Sequence, residues 1–93
     1  MQEIILDFTD CKYIMRLYDI IQEGFDFPDW FGRNLDALWD LLCDYYYDLP
    51  PVTVTIKGVG TMPNDLQNYM NKIFEVFADV RKEVPQMTFR VLP

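Results

Sequence analysis

The stretch Phe27-Pro28-Asp29-Trp30-Phe31-Gly32-Arg33-Asn34-Leu35-Asp36-Ala37-Leu38-Trp39-Asp40 changes character in its middle. The first half is an aromatic-rich turn, in which Pro28 restrains the residue before it and Gly32 supplies a permissive backbone. The second half reads as the opening of a helix. Asn34 is its natural N-cap, because an Asn side-chain oxygen can accept a hydrogen bond from an otherwise unpaired first-turn amide. Leu35, Leu38, Trp39 and Leu42 follow at the helical period, so the helix is expected to run to about Asp44 with these residues as its apolar face.

Outward from this block, short strand-like runs alternate with helical ones. Residues 2–8, with Ile4, Ile5 and Leu6, read as a strand. A helix follows, with Ile14, Leu17, Tyr18 and Ile21 as a core stripe, Thr9 or Asp10 placed to cap it and Gly24 placed to end it. Pro50-Pro51 stops the segment Tyr45-Tyr46-Tyr47-Asp48-Leu49, and Val52 to Ile56 alternates as a second strand. Lys57 to Pro63 is a loop whose glycines lack phosphate-loop spacing. Asn64 with Gln67 looks like a capping box for a helix over about Asp65 to Lys82, carrying the stripe Leu66, Tyr69, Met70, Ile73, Phe77 and Val80. Met87 to Leu92 is the third strand. Helical crossovers between strands argue for parallel pairing, so the expectation is a small α/β fold of one domain over residues 1–93, with no repeat or linker.

Composition narrows the chemistry. The 93 residues include no histidine and no serine, which removes a Ser-His-Asp triad and any imidazole metal site. Two cysteines, Cys11 and Cys43, are too few for the usual zinc patterns and stand in no redox motif. No metal or cofactor is expected. With no leader-like segment before the first strand, the thiols suggest a reduced, cytoplasmic protein, and apolar runs of only a few residues indicate no membrane role.

The net charge of −7 is unevenly placed. Between Asp19 and Asp48 lie eight acids and the single base Arg33, while the rest of the chain balances seven acids with seven bases. Such a field repels nucleic acid and draws a basic partner. On a helical projection Asp36, Asp40 and Asp44 line one exposed edge. Like charges at i and i+4 destabilise a helix by about 0.2–0.5 kcal/mol per pair, and only Asp36 lies where the helix dipole favours it. Folding explains Asp40 and Asp44 poorly. As a general acid and base the pair would lack an apolar pocket to tune either group, so an enzyme is not expected. Trp30 and Trp39 are aromatics of the kind that dominate interfaces, whereas Phe31 is expected to close the core.

The block from Phe27 to Asp40 closely resembles the barstar family of intracellular ribonuclease inhibitors, in its order of Phe-Pro, aromatic-aromatic-Gly and Asn-Leu-Asp-Ala-Leu-Trp-Asp. The resemblance implies a two-layer α/β fold, a three-stranded parallel sheet with helices packed on it. It implies a one-to-one inhibitor that does no chemistry and inserts its acidic helix, as a phosphate mimic, into the active site of a basic, secreted, barnase-like ribonuclease. Asp40 would enter the phosphate site and Asp36 would pair with basic residues. Trp39 would flank the contact, and Trp30 would stand where the family has a tyrosine. Gly32 and Asn34 belong to the same contact block, Asp44 adds a carboxylate one turn further on, and Asp79 would match a peripheral acidic contact. Arg33 replaces an acidic residue, so the fine charge pattern departs from that of the best-known member. The alternative is a barstar-like interaction domain acting as antitoxin or regulator of another basic protein.

Overall fold

The computed structural model describes residues 2–46 and 50–92. Tyr47, Asp48 and Leu49 lie outside them, and with them the end of the tyrosine-rich segment before Pro50-Pro51 and the last acid of the charged stretch. The order is β1 (Gln2–Asp7), α1 (Ile14–Phe25), α2 (Leu35–Tyr46), β2 (Val52–Lys57), a single 3-10 turn (Val59–Thr61), α3 (Asn64–Glu83) and β3 (Met87–Val91). The three strands form one parallel sheet in the order β1-β2-β3, with Ile4 opposite Val54 and Val54 opposite Phe89.

This register sorts the side chains by face. Ile4, Leu6, Val52, Val54, Ile56 and Met87 are buried on the helical side, whereas Glu3, Ile5, Asp7, Thr88 and Arg90 are exposed. The helices therefore form one layer and the sheet the other. Thr55 is the buried exception on the open face, and its hydroxyl lies 3.5 Å from Glu3 Oε2. The buried stripes of α1 (Leu17, Tyr18, Ile20, Ile21, Phe25) and α3 (Leu66, Met70, Ile73, Phe77, Val80) meet the sheet's apolar side chains in one core. Helix α2 packs mainly on α3, which leaves its remaining sides toward solvent.

Several local expectations are corrected. Neither Thr9 nor Asp10 caps α1: the Thr9 amide and hydroxyl both donate to Asp7 Oδ1, the Asp10 amide donates to Thr61 Oγ1, and the N-cap position falls at Tyr13. Gly24 lies inside α1, because a Cβ there would collide with Leu6 Cδ2 on β1. The left-handed residue that ends the helix is Asp26 (φ 57°). Ile14 is exposed, and Ile20 and Phe25 take its place in the core. The Asn64–Gln67 capping box does not form. Asn64 is already helical, and Gln67 turns back to donate to the Met62 carbonyl at 2.8 Å.

Candidate functional site

The site begins with a turn fixed by buried rings. Phe27 and Phe31 are buried, 5.1 Å apart between ring centroids, and Phe31 meets Tyr18 edge-on at 6.0 Å. Phe31 is therefore a core residue, as expected. The Phe31 amide donates to the Pro28 carbonyl (3.0 Å), closing a turn that pushes the intervening Trp30 outward, where it is 72% exposed. The left-handed step that leads into α2 falls at Arg33 (φ 51°), not at Gly32. Gly32 matters through space: a Cβ there would lie 3.2 Å from both Ala37 Cβ and Asn34 Nδ2. Asn34 then caps α2, its Oδ1 accepting from the Ala37 amide at 2.8 Å while its Nδ2 donates to the Gly32 carbonyl.

Helix α2 buries Leu38, Leu41, Leu42 and Tyr46. The stripe is rotated from the expected one: Leu41 and Tyr46 belong to it, Leu35 is only partly covered and Trp39 sits on the rim, 38% exposed. The Tyr46 hydroxyl explains part of the rotation, since it reaches the Phe25 carbonyl at 3.3 Å and anchors the last turn against α1. Asp36, Asp40 and Asp44 are all exposed, with Trp39 beside them on the same helix.

Elsewhere four carboxylates pair with cations: Asp7 with Lys57, Glu23 with Arg16, Asp19 with Arg33 and Asp79 with Lys82. Among the described residues, none of the three α2 aspartates has such a partner. Asp79 is exposed on α3 and held by Lys82 at 3.6 Å. The carboxylate that α3 does bring near α2 is Glu83, which sequence reading missed. Burial, and then the charges of Glu83, Asp44 and Asp40, push the Cys43 thiol up, so Glu83 of α3 adds its charge there to that of the helix's own acids. The signal was present, since Glu83 follows Asp79 by one turn outside the buried stripe. Cys11 and Cys43 are both free thiols.

A second acidic feature adjoins the turn. Asp19, Glu23, Asp26 and Asp29 line an open notch of about 320 Å³ with Arg33 on one wall. Exposed Trp30 follows Asp29 in the turn, and exposed Trp39 lies between Asp36 and Asp40 on α2. Such a surface can receive converging cationic side chains through charge-assisted hydrogen bonds. No helix among the described residues is long and apolar enough to cross a membrane.

Comparison with known proteins agrees with this geometry. The family model described as Barstar (barnase inhibitor) matches residues 1–92. The chain is 38% identical over 84 residues, covering 90% of each chain, to a Bacillus subtilis (strain 168) protein described as "Putative ribonuclease inhibitor YrdF". With the parallel sheet, the capped acidic helix and the aromatic turn all in place, the chain belongs to the barstar family of ribonuclease inhibitors.

Proposed function

We propose that this protein binds one-to-one to a small, secreted, basic ribonuclease of the barnase type and blocks its active site, with α2 standing in for RNA phosphates. The observation that carries this reading is the set of exposed, cation-free carboxylates Asp36, Asp40 and Asp44, of which the helix dipole favours only the first. A ribonuclease site that holds phosphates with Arg, Lys and protonated His offers the donors those carboxylates lack. Asp40 is central and enters the phosphate site, and Asp36 pairs with basic residues one turn earlier. Asp44 and Asp79 extend the field at the periphery. Trp30 and Trp39 supply apolar area around the desolvated charge, and Gly32 and Asn34 form the junction between turn and helix.

The protein acts as a barstar-like domain over the length of the chain and performs no catalysis. Its two free thiols suit the reducing cytoplasm of the producing cell, which it would protect as an antitoxin before the enzyme is exported. The test is RNA cleavage by barnase with increasing amounts of the chain. Cleavage should stop at equimolar inhibitor and persist with Asp40→Ala at the same concentration. Undiminished cleavage with the wild-type chain would overturn the proposal and direct the search to another basic protein.

A further inference from the structure

Arg33 is the single base between Asp19 and Asp48, and it occupies a left-handed backbone conformation (φ 51°) between the aromatic turn and the cap of α2. A non-glycine residue in that conformation persists only where its surroundings over-determine it. Here they do. Arg33 Nη2 lies 2.9 Å from Asp19 Oδ1 and donates to Gln22 Oε1, also at 2.9 Å, so its guanidinium is held against two successive turns of α1. Gln22 in turn donates from Nε2 to the Pro28 carbonyl at 3.1 Å, and its own carbonyl accepts from the Phe27 amide at 3.0 Å. Both ends of the turn carrying Trp30 are therefore tied to the same short segment of α1.

We infer that Asp19, Gln22 and Arg33 form a clamp that sets the aromatic turn and the start of α2 before the partner arrives, with Arg33 as a positioning residue for inhibition. The inference rests on the proposed ribonuclease partner for its functional consequence. Its value lies in a conflict of signs. By charge alone, Arg33 opposes a cationic partner, and its removal should speed encounter because the acidic segment would lose its only base. By geometry, its removal frees the turn, and affinity falls by the fraction of molecules in which the turn is no longer in place. The two effects predict opposite outcomes for one substitution.

The experiment compares wild type with Arg33→Ala, Arg33→Glu, Asp19→Arg and the charge-swapped pair Arg33→Glu/Asp19→Arg. It follows amide exchange across residues 27–33 in the free chain and the stopped-flow association and dissociation rates with barnase, counted per folded molecule. Arg33→Ala is expected to quicken exchange at Phe31 and to weaken binding about tenfold, the scale of ordering one or two interface side chains, despite its extra negative charge. The swapped pair keeps the net charge and should restore slow exchange and much of the lost affinity, whereas each single reversal should lose both. A merely structural role would lower thermal stability and leave the rates per folded molecule unchanged, which overturns the inference. So does unchanged or tighter binding by Arg33→Ala. If barnase fails to bind the wild-type chain, the partner reading falls, and the exchange data alone decide whether the clamp sets the turn.

Discussion

Helices α2 and α3 pack against each other yet are written by different rules. Helix α3 has Asp65 in its first turn and Arg81 and Lys82 beside Glu83 in its last, so the net charge at each end complements the dipole, and its buried stripe runs without interruption from Leu66 to Val80. Helix α2 has Asp36 in its first turn but no base in its last, and Asp40 and Asp44 repeat the same charge one turn apart. Folding accounts for α3 almost completely. In α2 it accounts for the buried side only, and the other side is kept at some cost in helix stability. This difference between two neighbouring helices is what supports the proposal that α2 faces the partner.

The comparison can be broken or sharpened by substitution. The largest expected effect is on the α3 side: Phe77 is buried and stacked at 4.4 Å on Phe89, so Phe77→Ala should cost about 3–5 kcal/mol of stability in denaturant titration while leaving barnase affinity per folded molecule unchanged. On the α2 side Asp40→Ala should do the reverse, costing more than about 2 kcal/mol of affinity, a scale that comes from a barstar–ribonuclease pair itself, with no loss of stability. If Asp40→Ala destabilised the chain as Phe77→Ala does, the contrast would collapse.

Alkaline pH probes how each of these helices packs on α1, through Tyr18 against Tyr69 and Tyr46 against Phe25. Burial, and next the hydrogen bond to Tyr69, push the Tyr18 phenol up, while burial and then the Asp26 charge push up Tyr46. Folded values above the unfolded one, near 10, mean that the unfolded chain releases these protons first. The stability these phenols contribute is complete below that pH and is lost as pH rises through the folded values, by about 1.4 kcal/mol for each unit of elevation. Tyr18→Phe should flatten the fall in a pH series of urea midpoints, and an unchanged slope would deny the phenol this role.

Smaller effects return to α2. Asn34→Ala removes the hydrogen bond to the Ala37 amide and should cost about 1 kcal/mol in thermal unfolding. Asp44→Ala should raise stability by a few tenths of a kcal/mol, through relief of the i,i+4 repulsion and the unfavourable end of the dipole. The same change should mainly slow association with barnase and flatten its salt dependence, because Asp44 acts at the edge of the field. A gain in stability without a slower encounter would move Asp44 from the interface to the fold.

The elements most legible in the sequence were those governed by periodicity and local capping. The stripe of α3, the strand β2 and the Asn34 cap each depend on residues within a turn or two of one another, and all three appear in the structure, with buried Thr55 breaking the alternation of β2. The failures came where a distant element decides. Gly24 reads as a helix stop until Leu6 of β1 is seen to require its missing side chain, and Asp26 then supplies the left-handed residue instead. Gln67 reads as a capping partner, but the 3-10 turn before α3 presents a carbonyl that its side chain reaches first. In the site, the α2 carboxylates and the exposed tryptophans were legible as a departure from what folding needs. The effect of Glu83 on α2 and the Asp19–Gln22–Arg33 network were not, because the first depends on how α3 meets α2 and the second on how the turn before α2 folds back on α1. Cytoplasmic residence and the ribonuclease partner rest on the thiols, the charge and the family, and they stand as proposals.

The most direct measurement is a calorimetric titration of barnase with the wild-type chain and with Asp40→Ala, each at low and high salt. One-to-one binding that weakens with salt and is largely lost with Asp40→Ala is the expected result. No heat from the wild-type chain, or binding indifferent to both salt and Asp40, would contradict the assignment of α2 as the surface that blocks the enzyme.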